Sequence, residues 1–417
     1  MADVVDQPPR PILPLSSFQP LAKLLAWASY DLANTFFAVA MVSFYFPLWL
    51  IEDRGVQELT FSVALGISMV GVALAMPAFG AIADATGQRM RYLRWTSFGC
   101  IGTTLLIGCI HHIGLALALF ALANACYQLG TVFYDALLRQ VARPGRLGQA
   151  SGWGSAFGYL GSMAGLALLW PFVQAGGRQA AIIPSAVFFL LFALPSFFLI
   201  QDPPPSSGIS WQAVVRQALR QLRDTIRQAR AIPGVWWFFL ASFFSLNAIN
   251  TVLVFMAVYV KRVLGFSEPQ MIHFFLLGQA SAVAGAAVGA RVIDRLGAHR
   301  TLGVIWLGWT AALALLASAT VPKWLWLLGP VVGFCLGPTW ATSRVLLIQL
   351  CPKAQTAEFL GLAGLLSRLS SVAGPLIWGA IVLGPGRDRQ AIWVLVGLLV
   401  VGIVVLQKVP SREPHTP

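Results

Sequence analysis

Leu137-Leu138-Arg139-Gln140, followed by Gly152 and Gly165, returns 209 residues later as Leu346-Leu347-Ile348-Gln349, Gly361 and Gly374. One loop earlier, Asp84-Ala85-Thr86-Gly87 is answered by Asp294-Arg295-Leu296-Gly297 at a spacing of 210. Earlier still, Asp31-Leu32-Ala33-Asn34-Thr35 pairs with Asn247-Ala248-Ile249-Asn250-Thr251 at 216, the extra residues falling in a longer first loop of the first unit. Each echo is weak alone. In order, and at nearly one spacing close to half the chain, they indicate a duplicated unit.

The composition says where such units fold. Of 417 residues, 58% are apolar and 10% charged, against roughly 25% charged in a soluble domain. The apolar residues come in blocks near the ~20 needed to cross hydrocarbon as helix. Twelve such blocks are read, at 21–50, 60–83, 95–111, 113–138, 150–173, 179–200, 235–260, 269–293, 301–320, 323–350, 359–383 and 391–408. The expected fold class is therefore an all-α membrane protein, twelve transmembrane helices in two pseudo-symmetric six-helix bundles. Its parts are a leader (1–20), a first bundle (21–200), a linker (201–234), a second bundle (235–408) and a tail (409–417).

Charge gives the orientation. Nineteen of the 28 basic side chains fall in the leader, the tail and the loops after even-numbered helices, seven in the opposite loops, and Arg344 and Arg368 inside helices. By the positive-inside tendency both termini and the linker face the cytoplasm, in an inner or plasma membrane. The net charge of +13 is spread over short loops, which argues against a nucleic-acid partner. Within the linker, residues 209–231 carry Trp211, Val214, Val215, Leu219, Leu222 and Ile226 on one helical face and Arg216, Arg220, Arg223, Arg227 and Arg230 on the other. Two readings stand: a helix lying on the anionic inner leaflet, or a solvated helix tethering the halves.

Ionisable groups inside hydrocarbon are costly and mark function or a structural pair. Asp31 lies ten residues into the first block and Arg368 nine into the eleventh, both near mid-membrane at ~1.5 Å per residue. They are expected to face a central cavity and bind a zwitterionic or charged solute, Asp31 also carrying any coupling proton; the alternative is an ion pair locking the bundles. Tyr30, Asn34, Asn247, Asn250, Gln279 and Trp340 are candidates for the same pathway, with interhelical bonding or packing the competing role. Small residues Gly154, Gly158, Gly161 and Gly165 form one face of the fifth helix, and Gly278, Ala282, Gly285 and Gly289 one face of the eighth. Close backbone packing there serves either static contact or two bundles rocking past one another.

The loop Gly80-Ala81-Ile82-Ala83-Asp84-Ala85-Thr86-Gly87-Gln88-Arg89 and its repeat Ala290-Arg291-Val292-Ile293-Asp294-Arg295-Leu296-Gly297 resemble the signature of the major facilitator superfamily. Trp27-Ala28-Ser29-Tyr30-Asp31-Leu32-Ala33-Asn34-Thr35, Ser343-Arg344, Ala357-Glu358-Phe359-Leu360-Gly361 and Arg368 through Gly374-Pro375 are similar to motifs of the autophagy-related vacuolar amino-acid effluxers and their bacterial members. Asn247 and Asp135 depart from that pattern, where an aspartate and an asparagine are expected. The resemblance implies a cytoplasmic gate built from Gly80, Asp84, Gly87, Arg89, Asp294, Gly297 and Arg300. Asp135, Arg344 and Glu358 lie near the same surface and are expected to join its charge network.

The function expected is a secondary transporter moving a small polar or zwitterionic metabolite by alternating access, amino-acid-like by resemblance. An uncoupled facilitator and a non-transporting scaffold or receptor are the alternatives. No nucleophile–base set, nucleotide-binding loop or metal spacing appears, and the five cysteines read as small buried hydrophobes. The expectation is thus no enzyme and no cofactor, with a solute and the lipid bilayer as partners of a monomer.

Overall fold

The computed structural model describes residues 18–142, 147–204, 211–318, 322–352, 355–384 and 386–410. The leader to residue 17, Arg143, Arg146, Pro205 and the tail from 411 lie outside the described residues. Twelve long helices run in sequence: α1 (Phe18–Phe37, continued below), α2 (Glu58–Thr86), α3 (Arg89–Cys109), α4 (Ile113–Val141), α5 (Leu147–Gly176), α6 (Ile182–Leu199), α7 (Pro233–Leu264), α8 (Glu268–Leu296), α9 (Ala298–Ser318), α10 (Pro322–Leu350), α11 (Thr356–Ile381) and α12 (Asp388–Leu406). A separate linker helix occupies Trp211–Ala231. Among the described residues there is no strand. Eleven of the long helices are apolar enough to cross a membrane; α3 differs because Arg89, Arg91 and Arg94 fill its first turns. It starts six residues before the expected boundary because Asp202 caps it, its carboxylate accepting from the Met90 and Arg91 N–H groups at 2.7 Å each.

α1 does not stop at Phe37. It continues through a π-helical stretch, Ala38–Ser43, a short helix, Tyr45–Leu48, and a second π turn, Trp49–Asp53. Pro47 is the local cause: it offers no N–H to the Ser43 carbonyl, and its ring crowds that group. The ladder loosens at Phe44, whose N–H reaches back five residues to Val39.

The packing repeats with the sequence. In the first half α1 lies on α5 and α6, α4 on α2 and α3, and α3 on α6; in the second, α7 lies on α11 and α12, α10 on α8 and α9, and α9 on α12. Adding six to each label converts one list into the other. The halves meet where α2 packs on α11 and α5 on α8, and where the continued α1 reaches α7; the same operation exchanges the first two contacts, as a pseudo-two-fold axis requires. The loops Thr86-Gly87 and Leu296-Gly297 close equivalent corners with φ of +70° and +77°, a region that favours glycine.

The glycine faces settle one open reading. A methyl at Gly161 would stand 2.5 Å from the Leu32 carbonyl oxygen of α1, and one at Gly333 would collide with Gly278 across α8 and α10. Gly165 likewise rests on Val39, and Gly374 on Asn247 and Thr251 of α7. The small-residue faces therefore join helices inside each half and do not form a sliding surface between the halves.

The linker helix packs on α2, α7 and α11. Thr225 and Ala229 are buried there, while Arg216, Arg220, Arg223, Arg227 and Arg230 are exposed. Gln221 and Thr225 donate to the Glu358 carboxylate at 2.9 and 3.0 Å. It thus touches both halves at their basic end, the end that carries Arg89, Arg291 and Arg300.

Candidate functional site

Aromatic packing fixes the rotation of α1. Trp27 stacks on Tyr134 of α4 with ring centres 4.4 Å apart, and its indole N–H donates to the Tyr134 carbonyl at 3.0 Å. One turn on, the Tyr30 hydroxyl lies 2.7 Å from the Ser97 hydroxyl of α3, in a buried contact. With these two residues turned into the first half, Asp31 and Thr35 point toward the molecular centre. Gly158 of α5 leaves room for the carboxylate, since a methyl there would lie 2.5 Å from Asp31 Oδ2.

Two chambers meet at that centre. The larger, about 710 Å³, is lined by Trp27, Asp31, Asp135, Arg344 and Arg368, and reaches the basic end at Asp84 and Arg89. The deeper, about 460 Å³, is mostly apolar and carries Tyr127, Gln128, Asn250 and Gln279 among its walls. Trp340, Ser367 and Arg368 line both, so Arg368 stands at the junction.

Arg368 reaches out of α11 into the first half. Its Nη2 donates to Thr131 Oγ1 at 2.9 Å and to the Gln128 carbonyl at 3.4 Å, both on α4, and its Nη1 to the Gly364 carbonyl at 3.0 Å. Its Nε is buried with no partner among the described residues. Asp31 makes no side-chain hydrogen bond or ion pair among the described residues, so the two do not lock together; Arg368 joins the halves through neutral oxygens instead. Asp135 and Arg344 open onto the chamber. Asp31 feels the charge of Asp135, which in turn feels those of Arg344 and Arg368. The chamber thus presents two carboxylates and two guanidiniums with little internal neutralisation.

Other expected pathway residues sit elsewhere. Tyr30 and Asn34 are buried and line neither chamber, and the same holds for Asn247. Asn247 donates to the Phe243 carbonyl and accepts from the Gly374 N–H, each at 2.7 Å, which pins α7 to α11. Asn250 does both jobs, lining the deep chamber and donating to Ser371 at 2.8 Å. Replacing Asn247 by Ala strands a buried N–H and is expected to cost about 1–3 kcal/mol. A lowered melting temperature with unchanged solute affinity is the result to look for.

Of the gate residues, Asp84 and Arg89 pair at 2.7 Å, with Asp84 63% exposed. Arg89 also donates to the Ala136 carbonyl at 3.2 Å, so all three groups belong to the first half. Asp294 and Arg300 are exposed, with no ion pair among the described residues. Among the described residues no bridge across the halves joins these four side chains at the basic end.

The opposite end is shut. Phe44 meets Phe275 edge-on at 5.3 Å and Phe61 meets Phe255 at 6.1 Å, each contact crossing between the halves. Ser62 donates to the Pro375 carbonyl at 2.8 Å where α2 lies on α11. Beyond this apolar layer, Arg178 binds Asp53 and Glu268, and Arg262 binds Glu52, Glu58 and Asp388. In the sequence this ionic cluster leaves one trace, acids at four helix ends and two arginines beside the loops between them.

A family model described as vacuole effluxer, Atg22-like, matches residues 145–413. The chain belongs to that family. Among relatives of this Atg22-like protein, an uncharacterized MFS-type transporter of Bacillus subtilis, YxiO, is 23% identical over 93% of this chain and 94% of its own. An uncharacterized protein of Aquifex aeolicus is 27% identical over 85% and 88%. Autophagy-related protein 22 of Cryptococcus neoformans is 26% identical over 61% of this chain and 51% of its own length. Among solved structures, the nucleoside transporter NupG superposes with a TM-score of 0.72 at 14% identity, over 93% of this chain and 99% of that one. A bacterial homologue of the lysosomal transporter Spinster, inward-facing and occupied, gives 0.71 at 16%, over 95% and 97%. The Atg22-like chain is therefore a multi-pass membrane transporter with the major facilitator fold, and not an enzyme.

Proposed function

We propose that the protein carries a small zwitterionic, amino-acid-like solute across the membrane by alternating access, with a coupling proton on Asp31. The observation that supports this is the charge inventory of the larger chamber. Asp31 and Asp135 suit an ammonium group, and Arg344 and Arg368 a carboxylate, whose planar fork matches guanidinium donors. A sugar would bring no charge to any of the four groups, and a simple anion none to the two acids. With the basic end placed in the cytoplasm by the positive-inside tendency, the captured state is open inward and shut outward.

The test is a thermal-shift series on the purified protein with amino acids, short peptides, sugars and organic anions, followed by flux in proteoliposomes. Zwitterions are expected to raise the melting temperature, since a ligand of the folded state stabilises by mass action, and an imposed pH gradient to drive uptake. A shift confined to sugars or simple anions refutes the solute class. Flux indifferent to the gradient, with no proton movement, replaces coupled transport by facilitation.

A further inference from the structure

The ionic cluster at the closed end has an internal order that the duplication exposes. Glu58 opens α2 and Glu268 opens α8, 210 residues apart. Arg178 precedes α6 and Asp388 opens α12, again 210 apart. Glu52-Asp53 closes the extended α1, and Lys261-Arg262 lies in the last turn of α7, 209 apart; Gly165 on Val39 and Gly374 on Asn247 and Thr251 keep the same spacing, so the echo of Asp31 in Asn247 at 216, with its longer first loop, is not a structural equivalence. The pair Asp53–Arg178 in the first half and the pair Arg262–Asp388 in the second are therefore equivalent under the pseudo-two-fold, with their signs exchanged.

Each arginine has a second partner, and it belongs to the other half. Arg178 reaches Glu268, Nη2 to Oε1 at 2.6 Å and Nε to Oε1 at 2.8 Å. Arg262 reaches Glu58, and also Glu52 at 3.0 Å. Two bridges within halves thus stand beside three between them.

We infer that Arg178 and Arg262 are the outer-gate side chains, each held by an acid of its own half and released only from the opposing half's glutamates when the closed end opens. This rests on the alternating-access reading above. A guanidinium with a side chain only 8% exposed, as Arg178 has, is expensive to strand without a partner. Asp53 keeps Arg178 paired through the transition, and Asp388 does the same for Arg262. The released Glu58 and Glu268 occupy the first turns of α2 and α8, where the helix dipole favours a carboxylate and water takes up the rest. Opening then separates charges without leaving a buried one alone.

The arrangement predicts opposite signs for two kinds of neutralisation. In a chain with its five native cysteines replaced, spin labels at Gln57→Cys on the first half and Gln390→Cys on the second report the separation across this end, with no solute needed. Glu268→Gln and Glu58→Gln remove bridges between halves and are expected to raise the population of the longer separation roughly tenfold, on the scale of one charge-assisted hydrogen bond. Asp53→Asn and Asp388→Asn leave each arginine to the opposing half alone and are expected to lower that population. Glu52→Gln reads the Arg262 bridge independently should Glu58→Gln fail to fold. All variants shifting in one direction, or none shifting, overturns the gate assignment. Because the distances are measured without transport, failure of the solute reading leaves this result standing, and the reverse also holds.

Discussion

Asp31→Asn is expected to abolish solute flux while leaving the protein folded. The carboxylate faces the larger chamber and makes no side-chain hydrogen bond or ion pair among the described residues. Its removal therefore breaks nothing inside the chain, and a charged group in a low-dielectric bundle is costly to keep. The melting temperature of the empty protein should stay level or rise. Truncating one member of a desolvated charge pair with a ligand costs on the order of 2–5 kcal/mol. At about 1.4 kcal/mol per factor of ten, apparent affinity should fall roughly 30-fold to several thousandfold. Flux in proteoliposomes and the solute-induced thermal shift check this together. Wild-type flux in Asp31→Asn removes the carboxylate from the mechanism, whereas a variant that unfolds shows its role to be structural.

How much of this the sequence disclosed depends on the kind of information asked of it. The duplication was legible because it is a relation along the chain: Asp84 to Asp294, or Gly165 to Gly374, needs no knowledge of packing. The depth of Asp31 and Arg368 was legible for a similar reason, since helical rise converts residue count into distance. Rotation was not. A soluble helix advertises its buried face by polarity, but these helices are apolar nearly all round, so Tyr30, Asn34 and Asn247 look as eligible for the cavity as Asp31 does. Aromatic stacking of Trp27 on Tyr134 and the room left by Gly158 choose between them, and neither is a property of α1 alone.

The closed-end cluster was hidden by distance. Arg178 and Glu268 are 90 residues apart, and Arg262 and Glu52 are 210. Counting basic residues for orientation put both arginines at the end opposite the basic one yet ignored the acids beside them, because acids weigh little in that rule. Duplication could have paired Glu58 with Glu268. The exchange of sign between Asp53–Arg178 and Arg262–Asp388 is invisible to a search for similar residues, since similarity is what it lacks.

Arg368 carries two roles that a pair of variants should separate. As the guanidinium common to both chambers, it is the proposed seat of the solute carboxylate; as a donor to Thr131 and Gln128, it ties α11 to α4 across the halves. Arg368→Met removes both functions, and Arg368→Lys keeps the charge but loses the planar fork. Thr131→Val removes only the 2.9 Å bond of the tie. If the guanidinium binds solute, Arg368→Met should abolish the solute-induced thermal shift and Arg368→Lys should weaken affinity about 10- to 100-fold, as losing a bidentate charged contact implies. Thr131→Val should hold affinity within about threefold, because its hydroxyl meets the guanidinium and not the solute, so the loss of this charge-assisted bond, about 1.5–3 kcal/mol, falls on the conformational equilibrium. Should Thr131→Val match Arg368→Met in lost affinity, the arginine is a strut whose effect on solute is indirect. A strut at the junction of the chambers leaves Arg344 to receive the carboxylate, and Arg344→Met then becomes the variant expected to lose binding.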